Sequence, residues 1–349
     1  MSQAIRVGIA GLGWPGVAHA RGYQSSGGFK IVAVADLIPD RRRRAMHEFG
    51  ATREYADAAD LVRDKEIDAI SVCLPNHLHA PTAVAALRAG KHVVCETPPA
   101  LSAAEARRMD ATATKAGKVL LYALQRRFGP GEQAARQAVT KGYAGDPYHA
   151  RASWLRTRGI PHGTGWYTDK SKSGGGALID LGAPMLDLAW HLLGQPRPLT
   201  ACSLTYNRFR DLAPGAPVYD VEDQAFALLK FEGGKSLELA ASWAINQAPH
   251  QNGTVCRLYG TTGAIEVYTP QGAVMYRNFG PKGEAKETPL RPPKVIHHTA
   301  LMRHFRECIL GKSTPTAGGK EGITLMQMLD ALYKSSNTGR TAEINTHSV

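Results

Sequence analysis

Residues 5–16 read IRVGIAGLGWPG, and this stretch decides the fold class of the 349-residue chain. Its first six residues form a mainly apolar, β-branched run that predicts a buried parallel strand. Gly11, Gly13 and Gly16 then stand in a GxGxxG pattern where the strand would turn into a helix. Gly11 permits a tight turn, Gly13 lets a ligand approach the backbone, and Gly16 permits close packing of the helix on the strand. The pattern predicts a dinucleotide-binding turn, with the pyrophosphate at the helix N-terminus.

An acidic residue at the end of the second predicted strand indicates which dinucleotide would bind. Asp36 lies about 20 residues after Gly16, where a carboxylate can bind both ribose hydroxyls of NAD. Its charge would repel the 2′-phosphate of NADP, so the sequence favours NAD. NADP stays open, because Arg41 begins a run of four arginines, one of which could bind that phosphate. Leu12 and Trp14, which stand between the glycines, complete the predicted cofactor contacts of the turn.

The spacing of apolar runs predicts two domains. In the first part of the chain, helical segments alternate with five predicted strands, at residues 5–10, 31–36, 69–74, 92–96 and 118–122. This alternation predicts an α/β fold with a doubly wound parallel sheet, here a Rossmann domain over residues 1–126. Beyond that point, longer alternating strands separated by glycine-rich turns are predicted at residues 148–155, 199–207, 225–231, 236–243 and 255–259. Residues 127–349 are therefore expected to form a second α/β domain on a large, mainly antiparallel open sheet.

Composition excludes several classes of protein. The hydrophobic fraction of 43% excludes disorder, and no apolar run approaches the ~20 residues of a membrane span. The net charge of +12 is spread along the chain without a nucleic-acid-binding motif, so no nucleic-acid partner is expected. The five cysteines include no CxxC pair, and no cluster shows metal-ligand spacing, so no metal site is predicted. Without a signal-peptide layout at the start, a cytoplasmic location is expected.

Four further segments make the chain resemble the Gfo/Idh/MocA family, named for glucose–fructose oxidoreductase and inositol dehydrogenase. They are residues 75–79 (PNHLH), 89–96 (AGKHVVCE), 174–182 (GGGALIDLG) and 260–266 (GTTGAIE). The resemblance covers nearly the whole chain and implies a Rossmann domain followed by an α/β domain. The open sheet of that second domain would form the substrate site and an oligomer interface, so a homodimer or homotetramer is expected.

The resemblance also implies further cofactor contacts. The segment after the third predicted strand would lie beneath the nicotinamide ribose, and the segment after the fourth would lie beside it. The residues concerned are Leu74, Pro75, Asn76, His79, Glu96, Thr97 and Pro98.

Two positions depart from the pattern of the family, and both concern proton transfer. Thr97 stands where the family usually has a lysine, and Pro184 stands where it usually has a histidine. Oxidation of an alcohol requires a base for the hydroxyl proton, and neither replacement can serve as one. Asp180 alone remains of the usual set, and it can act as the base if burial raises its pKa. Asp180 could instead be an N-cap of the helix that follows it.

Other side chains could take over the missing role. Tyr167 and His162, in the glycine-rich loop between residues 159 and 176, are the first candidates for catalysis. Trp166 lies in the same loop and is a candidate substrate contact. Further candidates lie on predicted strands or directly after them: Tyr122, Gln125, Trp154 and Arg156.

These observations predict an NAD(P)-dependent oxidoreductase that transfers a hydride. Its substrate would be a polyhydroxylated small molecule, a sugar, polyol or related hydroxyl, carbonyl or imine compound. One alternative is a redox-neutral enzyme, a lyase, epimerase or glycosidase that oxidises and re-reduces its substrate on the same NAD. The other alternative is a dinucleotide-binding protein without catalytic activity, in which the acid and base have been lost.

Overall fold

The computed structural model describes residues 4–161, 165–268, 272–280, 282–291 and 297–346. The chain divides into two compact units. The first comprises Met1–Phe128 and Val295–Met326, and the second comprises Gly129–Lys294 and Gln327–Val349. Among the described residues, no helix is long and apolar enough to cross a membrane.

The first unit begins with alternating strands and helices. They are β1 (Ile5–Ala10), α1 (Trp14–Ser26), β2 (Phe29–Ala35), α2 (Pro39–Phe49), β3 (Arg53–Tyr55), α3 (Ala58–Arg63), β4 (Ala69–Val72), α4 (His79–Arg88), β5 (His92–Cys95), α5 (Ala103–Ala116) and β6 (Leu120–Tyr122). The strands form a six-stranded sheet in the order β3-β2-β1-β4-β5-β6, and every pair is parallel. The predicted doubly wound parallel sheet is therefore confirmed.

The edge strand β3 is absent from the sequence prediction. It has only three residues, Arg53, Glu54 and Tyr55, and none of them is fully buried. A short polar strand at a sheet edge produces no apolar run, so hydropathy does not reveal it. The central strand β1, in contrast, buries Val7 and Ile9 completely and was predicted with its observed bounds.

The second unit is built on a larger sheet. Its elements are α6 (Pro130–Thr140), β7 (Pro147–Leu155), α7 (Lys170–Ser173), α8 (Ala183–Leu192), β8 (Pro198–Tyr206), β9 (Gln224–Phe231), β10 (Ser236–Ser242), β11 (Gly253–Gly260), β12 (Gly263–Tyr268), β13 (Gly272–Arg277) and β14 (Lys286–Pro289). Three elements end the described chain: α9 (His297–Ile309), α10 (Gly319–Thr338) and β15 (Ala342–Glu343). The nine strands follow the order β14-β13-β12-β11-β7-β10-β9-β8-β15. Among the described residues of this sheet, only β7 and β10 pair in parallel, so the predicted mainly antiparallel sheet is confirmed.

Helix α9 and the start of α10 belong to the first unit although they come late in the sequence. Helix α9 packs on α1 and buries Leu301, Met302 and Phe305 on one face. The backbone N–H of Tyr122 donates to the carbonyl oxygen of Ala317, which joins the end of β6 to the segment before α10. The chain thus leaves the first unit after Phe128 and returns to it.

The nine-stranded sheet has one covered and one open face. Helix α8 packs on β7, β10 and β11. Along β9, Ala225, Ala227 and Leu229 are buried, while the alternate residues Phe226 and Leu228 are exposed. The alternation is that of a strand with one face in the core and one in solvent. The exposed side chains here are large and apolar.

Candidate functional site

The glycine turn between β1 and α1 shows why each glycine is needed. Gly11 has a φ of +92°, and a Cβ at this position would overlap the carbonyl oxygen of Cys73. A Cβ on Gly16 would overlap the carbonyl oxygen of Gly11. A Cβ on Gly13 would meet only Pro15 Cδ at 3.5 Å, an ordinary van der Waals contact. The packing of the protein therefore explains Gly11 and Gly16 but leaves space above Gly13, where a ligand can approach the backbone.

The end of β2 supplies a carboxylate beside this turn. Asp36 Oδ2 accepts the backbone N–H of Leu12 at 2.8 Å, and Oδ1 accepts that of Ile38 at 2.9 Å. The guanidinium of Arg41 lies 3.6 Å from Oδ2 and is 43% exposed. Trp14, the first residue of α1, is 66% exposed. The structure thus brings the carboxylate, the arginine and the turn together, as a site for the adenosine ribose requires.

A buried histidine joins the two segments expected to lie near the nicotinamide. His79 is 1% exposed, with Nδ1 2.8 Å from the carbonyl oxygen of Pro98 and Nε2 2.7 Å from that of Leu74. Burial lowers the pKa of His79, whereas the two carbonyl oxygens act to raise it. A neutral imidazole can donate to only one of them. Pro75 is partly exposed and Asn76 is buried in the same segment. His79 therefore positions the chain after β4 against the chain after β5.

Glu96 lies in a second buried polar group of the first unit. Its Oε1 accepts a hydrogen bond from His19 Nε2 at 2.9 Å, and its Oε2 accepts the backbone N–H of Thr97 at 3.0 Å. Burial raises the pKa of Glu96, but these hydrogen bonds and the charges of His19 and His298 together outweigh it, and the net shift is downward. Glu96 is therefore an anion that fixes the backbone of Thr97, whose own side chain is partly exposed.

In the second unit, a buried glutamate shapes the segment that carries Asp180. Glu222 Oε1 accepts hydrogen bonds from the backbone N–H groups of Gly176 and Leu178 and from the hydroxyl of Tyr333. A Cβ on Gly176 would overlap the carbonyl oxygen of Glu222, and one on Gly175 would overlap the Tyr333 hydroxyl. The glycines of this segment are thus required by close packing, and the segment continues into a π-helical turn, Leu178–Gly182.

The carboxylate of Asp180 lies at the carboxyl ends of the parallel strands β7 and β10. Trp243 Nε1, just after β10, donates to Asp180 Oδ2 at 2.7 Å. Burial raises the pKa of Asp180, while the Trp243 hydrogen bond and the charge of Arg156 lower it by less. Arg156, just after β7, lies 5.1 Å from the ring centroid of Trp154. The structure therefore brings Asp180, Arg156 and Trp154 together.

The interpretation of Asp180 as a helix N-cap is wrong. Helix α8 begins at Ala183 with Gly182 in the cap position and no side-chain capping bond. Asp180 is part of the preceding π-helical turn, and its side chain accepts the indole N–H instead. Pro184 lies in the first turn of α8, a position at which proline is tolerated. It fits the helix start but offers no proton.

The remaining candidates lie in varied surroundings. Trp166 and Tyr167 stack with ring centroids 3.8 Å apart, and Tyr167 packs against the core cluster that contains Trp243. His162 lies outside the described residues. Tyr122 is fully buried in the first unit with its hydroxyl 3.9 Å from Met109 Sδ, so its role toward substrate stays a prediction.

Gln125 belongs to the same unit as Tyr122. Its Oε1 is buried and accepts no hydrogen bond from any described residue.

Three further side chains of the second unit were missed by sequence reasoning. Trp243 and Glu222 make the contacts described above. Tyr219 is 4% exposed in the same core cluster, and its buried hydroxyl bonds to no side chain or backbone group that the structure describes. None of the three stands in a recognisable motif, because each bonds to or packs against residues that are distant in the sequence.

Comparison with known proteins agrees with this geometry. Residues 5–124 match a family model described as the oxidoreductase family with an NAD-binding Rossmann fold, and residues 133–266 match the GFO/IDH/MocA C-terminal domain. The chain is 31% identical to D-glucoside 3-dehydrogenase of Escherichia coli K12, with 98% of each chain covered. It is 30% identical to 1,5-anhydro-D-fructose reductase of Ensifer adhaerens, with 91% of this chain and 92% of the relative covered. A levoglucosan dehydrogenase solved with NADH and levoglucosan has a TM-score of 0.88 at 20% identity, covering 99% of this chain and 100% of the other.

Proposed function

Because the chain belongs to the Gfo/Idh/MocA family of NAD(P)-dependent oxidoreductases, we propose that it oxidises or reduces a sugar or polyol at a single carbon. The main observation in support is the buried carboxylate of Asp180. Trp243 donates a hydrogen bond to it at the ends of two parallel strands, and burial raises its pKa. The names of the E. coli and Ensifer relatives, a glucoside dehydrogenase and an anhydrofructose reductase, support a sugar substrate.

The first unit would hold the dinucleotide, as proposed for residues 1–126. Gly13 and the uncapped start of α1 offer backbone N–H groups to the pyrophosphate, while Leu12 and Trp14 flank it. Asp36 would accept the ribose hydroxyls, which supports NAD, and Arg41 would favour a 2′-phosphate if NADP binds. The segments around Asn76 and Thr97 would contact the nicotinamide end, together with Leu74, Pro75, His79, Glu96 and Pro98. When bound, NAD⁺ accepts the hydride.

The second unit, within residues 127–349, would supply proton transfer. As hydride leaves the carbon, the Asp180 carboxylate accepts the hydroxyl proton, so the alcohol becomes a carbonyl and Asp180 becomes neutral. In reduction the same proton returns to the carbonyl oxygen. An upward shift of the Asp180 pKa favours proton transfer in both directions, because it moves the pKa toward the operating pH. Trp243 fixes the orientation of the carboxylate by its 2.7 Å hydrogen bond.

Substrate contacts are proposed around this carboxylate. Arg156 and Trp154 present a guanidinium and an aromatic face, which suit sugar hydroxyls and the apolar face of a sugar ring. Tyr167 or His162 would assist proton transfer, in place of the lysine and histidine that the family usually has at positions 97 and 184. Trp166, Tyr122 and Gln125 remain proposed substrate contacts from the sequence.

The test measures NADH formation from NAD⁺ with a panel of glucosides, anhydrosugars, aldoses and inositols. Wild type is expected to oxidise at least one of them, and Asp180→Asn should lower kcat/KM by about 10²–10⁴-fold. The control variant Asp146→Asn removes an exposed carboxylate of the same unit and should leave kcat/KM unchanged. NADH binding without turnover of any panel member would contradict the proposal. Turnover that needs no added NAD⁺, with cofactor co-purifying, would indicate the redox-neutral alternative instead.

We further propose that the open face of the nine-stranded sheet forms a homodimer or homotetramer interface. Leu204, Phe226 and Leu228 are exposed there at 56%, 38% and 45%, and Leu204 pairs directly with Phe226 across β8 and β9. A contiguous apolar patch of this kind favours association. We also propose a cytoplasmic location, since all five cysteines are free thiols.

A further inference from the structure

Three side chains that are distant in the sequence meet in the interior of the first unit. One ring nitrogen of His19, one ring nitrogen of His298 and one carboxylate oxygen of Glu96 all lie within 4.8 Å of one another. His19 and Glu96 are buried, and His298 is only partly exposed. We propose that these three side chains bind a divalent transition-metal ion such as Zn²⁺.

The spacing of the ligand atoms is close to what such an ion requires. Bonds of about 2.0–2.1 Å in a tetrahedron place neighbouring ligand atoms about 3.3 Å apart. His19 Nε2 and Glu96 Oε1 are 2.9 Å apart, and the whole set lies within 4.8 Å. Side-chain shifts on the order of 1 Å therefore convert the cluster into three corners of a tetrahedron. The fourth corner would be taken by water.

A buried nitrogen without a partner also suits a cation. The Nε2 atom of His298 is buried and makes no hydrogen bond to any described residue, which leaves a polar atom without a partner. Two imidazoles and one carboxylate form a donor set typical of zinc and other first-row transition metals.

A supporting hydrogen bond is already in place behind His19. Metal-binding histidines usually donate their second ring N–H to an acceptor that fixes the orientation of the ring. His19 Nδ1 lies 3.0 Å from Ser71 Oγ, which lies 2.7 Å from the hydroxyl of Tyr23. When Nε2 binds the ion, Nδ1 carries the proton and donates to Ser71. Tyr23 and Ser71 are both buried, so water does not compete for this bond.

Close packing of α9 on α1 brings His298 into the cluster. A Cβ on Gly22 of α1 would lie 2.9 Å from the carbonyl oxygen of His298, so a larger residue would push the helices apart. The rings of His19 and His298 are 5.8 Å apart between centroids. The ion would therefore join the helix that returns late in the sequence to α1 and to the end of β5. It would also hold Glu96, whose other oxygen fixes the backbone of Thr97.

The test uses the full-length protein with any affinity tag removed. Metal is stripped with EDTA, and Zn²⁺ is titrated by calorimetry while the bound metal is counted by mass spectrometry. One Zn²⁺ per chain and a higher Tm are expected. His298→Ala should weaken binding by at least about 100-fold, and Ser71→Ala by about 10–100-fold as loss of a supporting bond. His47→Ala, which removes an exposed histidine of the same unit, should leave binding unchanged.

A second measurement keeps the proposal testable if His298→Ala fails to fold. Co²⁺ bound to the wild-type protein should give absorption bands of a tetrahedral nitrogen- and oxygen-ligated ion, and added Zn²⁺ should displace them. The proposal fails if wild type binds no stoichiometric Zn²⁺. It also fails if folded His298→Ala binds Zn²⁺ as tightly as wild type, since the cluster would then be a hydrogen-bonded group only.

Discussion

Gly13 is the one glycine of the proposed phosphate-binding turn that the packing of the protein does not require. Gly13→Ala should therefore lower the free energy of unfolding only slightly, as alanine replaces glycine at the N-cap of α1. It should weaken NADH binding by at least about 10-fold, because the new methyl group would occupy the proposed space of the pyrophosphate. Gly16→Ala is the matched control, since its Cβ would overlap the carbonyl oxygen of Gly11 and should destabilise the fold. Fluorescence titration and urea denaturation measure the two effects. Equal NADH affinity in Gly13→Ala and wild type would contradict the proposed cofactor position.

Arg41 is expected to determine how well NADP is accepted. Its guanidinium lies 3.6 Å from the Asp36 carboxylate that would bind the ribose, so its positive charge can compensate the negative charge of a 2′-phosphate. Arg41→Ala should lower kcat/KM for NADP⁺ by about 10-fold or more, because a hydrogen bond to a charged group is lost. The kcat/KM for NAD⁺ should change little. Arg44→Ala, an exposed residue of the same helix, serves as control. Equal losses with both cofactors would show that Arg41 does not contact the 2′ position.

The raised pKa of Asp180 also affects stability. The folded state favours the neutral carboxyl. The resulting contribution to the free energy of unfolding is complete below the ordinary pKa of an aspartate and is lost as pH rises through the raised pKa of the folded state. Asp180→Asn stays neutral throughout and should therefore be more stable than wild type at pH 7. The gain should shrink toward pH 3. Urea denaturation at both pH values measures it, and a variant that is less stable at pH 7 would contradict this assignment.

At the scale of elements, the π-helical turn that carries Asp180 is held by α10. The Tyr333 hydroxyl donates to Glu222, which in turn accepts two backbone N–H groups of the glycine segment. Tyr333→Phe should lower the free energy of unfolding by about 1.5–3 kcal/mol, the range for a hydrogen bond to a charged group. It should also lower kcat while leaving NADH affinity unchanged, because the loosened segment positions Asp180.

The control for this prediction is Tyr268→Phe, a partly exposed tyrosine of β12. It should alter neither stability nor kcat. If Tyr333→Phe lowers stability but leaves kcat intact, then Glu222 supports the fold without positioning Asp180.

Elements were predicted well where their hydropathy pattern is local. Strand β1 and the turn after it follow from apolar periodicity and glycine spacing alone. The edge strands β3 and β14 were missed because each is short and polar, so pairing with a neighbour rather than sequence pattern defines them. Strands β12 and β13 were also missed, although β12 alternates buried and less buried residues and β13 buries three residues in succession.

At the scale of the whole molecule, the open sheet face makes oligomerisation testable. Leu228→Glu places a charge within the apolar patch, opposite Glu238 on β10, and should convert an oligomer into monomers. Lys230→Glu changes charge on the same face of β9 near its end and should leave the oligomer intact. Light scattering after size exclusion measures both. A monomeric wild-type protein would contradict the proposed oligomer. An oligomeric Leu228→Glu variant would show that the interface lies elsewhere.

The sequence by itself determined the fold class and the family resemblance and predicted the dinucleotide turn, because these depend on residues close together in the chain. Through that resemblance it also indicated Asp180 as the remaining candidate of the family's usual catalytic set. Only the tertiary structure decided that Asp180 accepts the indole N–H of Trp243 and does not cap α8. It likewise brought His298 to His19 and Glu96. Such contacts join residues separated by tens or hundreds of positions, and their free energy depends on burial and geometry that no local pattern contains.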